Sequence, residues 1–221
     1  LAGTNIFKLG ANDVGYGFNL GATFQPSAAT RIGVHYRSSI KYKLDGSATF
    51  SLAPALNGPA SADLKTPASF SASVFHQATS KVDVMADMTW TKWSNLQQLV
   101  VVRGTPLPPI PTLTFQWDDV WRFGVGANYK VSDQTKLRFG LAYDQTPTND
   151  VFRTPRLPDQ NRTWLAFGIQ YKPSKQGTLE IGYAHEFVKD AVVNTPTVAG
   201  NLVGHFKVKA DIFSIQYSHS F

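Results

Sequence analysis

The sequence predicts an all-β protein, a transmembrane antiparallel up-and-down β-barrel, and three observations carry that prediction. Apolar and polar residues alternate with a period of two through most of the chain. The connections between the alternating segments are by turns short and long. Aromatic residues collect at the ends of the segments.

The segments follow in order. Val14, Tyr16, Phe18, Leu20, Ala22 and Phe24 alternate with Gly15, Gly17, Asn19, Gly21 and Thr23. Ile32, Val34 and Tyr36 then oppose Arg31, Gly33, His35 and Arg37. A third segment covers about Ala68 to Gln77, with Phe70, Ala72 and Val74 on one face. In the fourth, Val82 to Trp93, the residues Val84, Ala86, Met88 and Trp90 oppose Asp83, Met85, Asp87, Thr89 and Thr91. The fifth sets Trp121, Phe123, Val125, Ala127 and Tyr129 against Arg122, Gly124, Gly126 and Asn128. The sixth sets Leu137, Phe139, Leu141 and Tyr143 against Lys136, Arg138, Gly140, Ala142 and Asp144. Leu165, Phe167, Ile169 and Tyr171 form one face of the seventh, and Leu179, Ile181 and Tyr183 one face of the eighth. The ninth is Phe213-Ser-Ile215-Gln-Tyr217-Ser-His219-Ser-Phe221, which places His219 at the rim. No segment has a convincing helical period.

Short turns lie at 25–30, 78–81, 131–135 and 172–177, and long Pro- and Gly-bearing loops near 41–66, 103–116, 145–162 and 189–204. In an up-and-down barrel this order sends every short turn to one rim and every long loop to the other, as in outer-membrane barrels. Phe24, Phe75, Tyr129, Tyr171 and Phe221 fall beside the short-turn rim. Tyr16, Tyr36, Trp90, Trp121, Tyr143 and Tyr183 fall toward the long-loop rim. Two aromatic girdles are expected where amphipathic rings meet the two bilayer interfaces.

Composition agrees. The 221 residues contain no cysteine, which excludes a disulfide scaffold and a thiolate metal site. The longest aliphatic run, Leu99 to Val102, is far shorter than the roughly 20 residues of a membrane helix. A membrane-spanning reading therefore requires a closed barrel, because lipid offers the backbone no hydrogen-bond partners. The net charge of +6 is spread among residues of both signs, with no basic run, so a nucleic-acid partner is not expected.

The face opposite the apolar one carries Arg31, Arg37, Asp87, Arg122, Lys136, Arg138, Asp144 and Glu180. Charges of both signs suit a wet or plugged lumen, where they are expected chiefly to pair with one another. Nine strands are odd for a bacterial barrel, and unpaired edges are untenable in lipid. Leu1 is not an initiator Met, and 1–13 reads as the end of a loop. The expectation is that residues 1–221 form the C-terminal part of one barrel domain and do not fold alone.

Three stretches point further. They are Trp117-Asp-Asp-Val-Trp-Arg122-Phe-Gly124, Leu137-Arg-Phe-Gly140-Leu-Ala-Tyr-Asp144-Gln-Thr-Pro147, and Arg153-Thr-Pro-Arg156-Leu-Pro-Asp159-Gln-Asn-Arg162-Thr-Trp164. With Asp87-Met-Thr-Trp90-Thr-Lys-Trp93-Ser94 and Tyr16-Gly-Phe-Asn19-Leu-Gly21, they resemble the FadL family of outer-membrane transporters of long-chain fatty acids and hydrocarbons. The resemblance covers nearly the whole chain apart from 46–66, 103–114 and 189–204. It implies a monomeric, fourteen-stranded barrel around an N-terminal plug, with strands six to fourteen in these residues. It implies capture of a fatty acid or other hydrophobic compound by external loops and passive, binding-driven transfer to an internal pocket. Outer-membrane lipid and lipopolysaccharide would surround it, and the terminal Phe221 resembles the ending read by the barrel assembly machinery. No cofactor is implied.

By that resemblance, loop 41–66 is a catching loop, offering Leu44, Phe50, Leu52 and Leu56, which otherwise would pack the loop onto the barrel. Loop 103–116 offers Leu107, Ile110, Leu113 and Phe115. Some family members place a carboxylate-binding Lys there; this loop has only Arg103, which leaves room for an uncharged ligand. Arg153, Arg156, Asp159 and Arg162 make up the signature loop, read as a salt-bridged loop folded over the lumen or as a pocket lid. The five histidines, His35, His76, His185, His205 and His219, accompany no nucleophile elbow or metal spacing, so neither an enzyme nor a metal site is expected. The alternative function is a general porin or surface-structural barrel.

Overall fold

A computed structural model describes residues 7–104, 106–197 and 200–220, and Phe221 lies outside that range. The strands in chain order are β1 (Phe7–Asn12), β2 (Asn19–Ser27), β3 (Thr30–Arg37), β4 (Lys41–Phe50), β5 (Gly58–Lys65), β6 (Ser69–Gln77), β7 (Val82–Thr91), β8 (Gln98–Leu99), β9 (Val102–Arg103), β10 (Leu113–Thr114), β11 (Val120–Lys130), β12 (Thr135–Asp144), β13 (Arg162–Tyr171), β14 (Gly177–Val188), β15 (Ala191–Thr197), β16 (Gly200–Phe206) and β17 (Lys209–His219). Two short 3₁₀ turns, Pro54–Leu56 and Trp93–Asn95, are the only helical elements among the described residues.

Nine strands form one antiparallel sheet in the order β17-β14-β13-β12-β11-β7-β6-β3-β2. Each strand pairs with its sequence neighbour within the wall, which is the meander of an up-and-down barrel. The ring does not close among the described residues, where β2 and β17 are its edges. Eight of the nine expected segments stand where the alternation puts them. The first differs: β2 starts at Asn19, and residues 13–18 lie outside any strand. Gly15 and Gly17 there lie close against Ile40 and Tyr42, with no room for side chains. The Ser38 hydroxyl takes over one backbone bond, accepting from Phe18 N–H at 2.9 Å. The stretch is extended and apolar, so its alternation reads as strand although no regular ladder supports it.

The two rims differ as expected. Three of the four short turns share one device, a Ser or Thr oxygen that accepts two main-chain N–H bonds and closes the bend. Thr79 accepts from Lys81 and Val82 at 3.2 and 3.0 Å, Ser132 from Gln134 and Thr135 at 3.3 and 3.1 Å, and Ser174 from Gln176 and Gly177 at 3.3 and 3.0 Å. In β2 the register slips between Phe24 and Ser27, around Pro26, which has no N–H to donate.

The long connections are more ordered than loops. The connection 41–66 is a hairpin, β4 with β5, and β1 and β9 flank it to make a separate sheet in the order β1-β4-β5-β9. Its side chains close on a small core of Ala48, Ala60 and Val101, with Phe50 and Ile110 packed against it. The 189–204 stretch is likewise mostly a hairpin, β15 with β16. The long loops expected at 41–66 and 189–204 thus contain paired strands of their own. Tyr42, Leu44, Ala48 and Phe50 alternate with Lys41, Lys43, Ser47 and Thr49, a strand pattern whose hydrophilicity disguised it.

On the nine-stranded wall the apolar face points away from the lumen. Phe123, Val125, Phe139, Leu141, Phe167, Ile181 and Ile215 are all exposed there, the arrangement lipid requires. Tyr36, Trp90, Trp121, Tyr143 and Tyr183 share that face toward the long-connection rim, and Tyr129 and Tyr171 toward the short-turn rim. Phe75 does not belong to the girdle. It is paired with Arg31, so it faces the lumen.

Candidate functional site

The register places a ring of inward residues across the wall. Gly33 faces Ser73, Ser73 faces Asp87, and the ring continues through Gly124, Ala142, Trp164 and Glu186. A second ring runs from Arg31 through Phe75, Met85, Gly126, Gly140 and Ala166. Between them lies a cavity of about 620 Å³, walled by Phe75, Met85 and Trp164 and floored by glycine and alanine. A Cβ on Gly124 would run into the Asp87 carboxylate and force it to shift.

A second cavity, of about 630 Å³, opens at the long-connection end. Trp93, Trp117, Val120, Pro147, Leu157, Pro158 and Val208 give it apolar walls, and Arg122, Asp144, Asp159 and Arg162 give it polar corners. Phe115 packs against Trp117 with ring centres 5.0 Å apart and planes tilted by 39°, and Trp93 meets Trp117 edge-on at 5.2 Å. The Gln97 amide donates to the Trp117 carbonyl at 2.8 Å and fixes that cluster. Both volumes fall in the range of sites for small hydrophobic ligands.

The lumenal charges pair as the alternation suggests. Arg122 donates to Asp87 at 2.7 Å. Arg138 and the Gln170 amide both donate to one oxygen of Glu180 at 2.6 Å. Arg162 donates to Glu186 at 2.8 Å and to Asp159, and Asp144 lies 4.0 Å away. Arg37 donates to the Asn19 side-chain oxygen at 3.1 Å. Arg31 differs: its guanidinium lies 5.6 Å from the centre of the Phe75 ring.

The signature loop is folded inward. Arg153 is 2 % exposed, pairs with Asp150, and donates to the Asp159 carbonyl at 2.8 Å and the Val192 carbonyl at 3.0 Å. Thr146 donates to Asp159 at 2.6 Å. Arg156 stays exposed on the loop.

The loop residues divide. Phe50 contacts Phe7 at 4.9 Å and carries the Arg103 guanidinium 5.2 Å above its ring. Arg103 also donates to the Pro108 carbonyl at 3.1 Å and to the Leu56 carbonyl. Its terminal nitrogens thus serve the chain itself. Leu107 sits over Gly58, Leu44 is half-buried, and Leu52 is 66 % exposed. Phe115 alone of these residues joins the aromatic cluster beside the outer cavity. Trp164, Phe75 and Met85 escaped the sequence reading as cavity walls. Parity was the available signal, since Trp164 precedes Leu165 and must face the other way.

The family model described as outer membrane protein transport protein (OMPP1/FadL/TodX) matches residues 1–221. An outer membrane protein of Neisseria meningitidis serogroup B is 29 % identical over 95 % of this chain and 52 % of its own length. The long-chain fatty acid transport protein of Escherichia coli K12 is 24 % identical over 99 % of this chain and 51 % of its own. The crystal structure of a Pseudomonas aeruginosa FadL homologue superposes with a TM-score of 0.85 at 27 % identity, covering 96 % of this chain and 54 % of that one. The chain spans about half the length of the curated relatives it matches.

Proposed function

The chain belongs to the OMPP1/FadL/TodX family of outer membrane transport proteins, and from that premise we propose that it serves outer-membrane uptake of long-chain fatty acids or related hydrophobic compounds by passive, binding-driven passage. The observation that carries the reading is the pair of cavities on the lumen face, the outer one walled by Trp93, Trp117, Leu157 and Pro158. An apolar chain leaves water for such walls with a gain of roughly 0.8 kcal/mol for each buried methylene. The cavity between the inward rings continues the apolar path deeper into the lumen, so each transfer replaces one greasy contact with another. In this reading the nine strands are part of a closed barrel around a plug, and the ordered outer hairpins frame the entrance.

Ligand capture then falls to the outer cavity and the aromatic cluster at its mouth, with Leu52 as an exposed apolar group on the turn after β4. Phe50, Leu107 and Ile110 hold that sheet together, and Arg103 braces it. The test is equilibrium binding of radiolabelled oleate to the purified full-length protein, with conductance in planar bilayers measured in parallel. Saturable binding, weakened about tenfold by Trp117→Ala, is expected. Open ion-conducting pores without saturable binding would instead establish the porin alternative.

A further inference from the structure

The lipid-facing side of the wall is nearly bare of charge. Among the described residues of its nine strands, Lys209 and Asp211 are the only Asp, Glu, Lys or Arg that the register puts on the outward face. Both stand on β17. Lys209 lies opposite Phe187 and Asp211 opposite His185, so all four share the face of Tyr183 and Phe213. One oxygen of Asp211 accepts from the Tyr183 hydroxyl and from His185 Nδ1, each at 2.7 Å. The His185 ring meets Phe187 edge-on with centres 4.2 Å apart, and Tyr183 packs against Phe213 at 4.8 Å. The outward face thus holds one polar cluster, and it is set among aromatic rings.

The cluster's depth follows from its cost. Charge on the lipid face is expensive at the bilayer midplane and cheap near the interfaces. Tyr183 belongs to the girdle, and His185, Asp211 and Lys209 lie beyond it toward the long connections. They therefore stand among the head groups of the outer leaflet. We propose that this patch binds lipopolysaccharide, whose head is a phosphorylated sugar carrying several acyl chains. The Lys209 ammonium meets a phosphate, a charge-assisted contact. Asp211 holds His185 by Nδ1, which turns the Nε2 edge away from the carboxylate and toward the sugar hydroxyls. With two donors on one oxygen, Asp211 is a positioning residue, and Lys209 is the charge the patch presents. Tyr183, Phe187 and Phe213 offer their rings to the sugar and to the first methylenes of the chains. An ordinary phospholipid matches the cation but brings no sugar to His185. The inference uses the membrane orientation of the family and is independent of what crosses the lumen.

The experiment titrates full-length wild-type, Lys209→Gln, His185→Ala and Lys92→Gln proteins in mild detergent with bisphosphorylated lipid A, dephosphorylated lipid A and phosphatidylglycerol. Native mass spectrometry counts the lipid bound. Wild-type protein is expected to prefer bisphosphorylated lipid A to both of the others. Lys209→Gln and His185→Ala are each expected to weaken that binding roughly fivefold, the scale of one lost charge-assisted or neutral hydrogen bond. Lys92→Gln, which removes another exposed cation at the same rim, is expected to leave it unchanged. Heat-modifiable gel mobility checks that each variant is folded. Equal affinity for phosphatidylglycerol overturns the proposal, as does binding unchanged in both Lys209→Gln and His185→Ala. A loss in Lys92→Gln as large as in Lys209→Gln also overturns it and leaves only general attraction to a basic rim. Oleate binding is measured on the same samples. A protein that holds lipid A but no oleate would unseat the transport reading and leave this one standing.

Discussion

The nine-stranded wall and the four-stranded outer sheet use the same two-residue alternation in opposite senses. On the wall the apolar set faces outward, and Phe213 and Ile215 are 78 % and 75 % exposed. In the outer sheet the apolar set turns inward onto Ala48, Ala60 and Val101, and Lys41, Lys43, Ser47 and Thr49 face out. The difference is the solvent on the far side. Lipid accepts large apolar side chains and rejects charge; water does the reverse. The wall therefore keeps its polar network inside, while the outer sheet keeps its small core inside. The chain passes between the two regions from β1 to β2 and from β3 to β4, and Asp13 accepts from Lys43 N–H at 2.7 Å near that junction.

The largest test of this contrast is Arg162→Ala. Glu186, whose side chain is 9 % exposed, would lose its partner inside the lumen. Breaking a buried pair costs on the order of 3–5 kcal/mol, to be read as a lower urea midpoint of the full-length protein in detergent. A gain in stability would show that the lumenal network is not holding the wall.

Next comes a matched pair of substitutions. Val125→Arg puts a charge at an outward position of the wall and is expected to cost about 2–4 kcal/mol of folding free energy into bilayers. Ser47→Arg makes the same chemical change on the outer sheet and is expected to stay within about 0.5 kcal/mol. Equal costs would break the comparison. A smaller loss than that of Val125→Arg is expected from Val101→Ala, which trims the outer core by about 1–2 kcal/mol. Its signature is faster amide exchange in β4 and β5 with β11 to β14 unchanged.

How much of this was legible depends on which solvent a strand meets. Segments such as 120–130 and 135–144 announced themselves because lipid demands large residues at every second position, and few other environments do. The hairpin 41–65 obeys the same period with smaller apolar residues and charged partners, and it read as a loop. The segment 14–18 erred the other way, because Val14, Tyr16 and Phe18 alternate although Gly15 and Gly17 pack against Ile40 and Tyr42 without a ladder. In the site, the inward direction of Arg31, Asp87, Arg122 and Glu180 followed from parity alone. Which of these would pair did not, because Arg122 finds Asp87 and Arg162 finds Glu186 only across strands whose register the sequence does not print. Phe75 faces the lumen although it lies near a rim, since position near a rim says nothing about face.

Arg153 ties connection 145–162 to hairpin β15–β16 by pairing with Asp150 on one side and donating to the Val192 carbonyl on the other. These two surface pieces leave the wall between different strand pairs, and surface pieces of that kind ordinarily drift independently over evolution. Here a single enclosed guanidinium makes them one mechanical unit. A change of length in either would pull on the other, so trimming one connection should disturb the order of both.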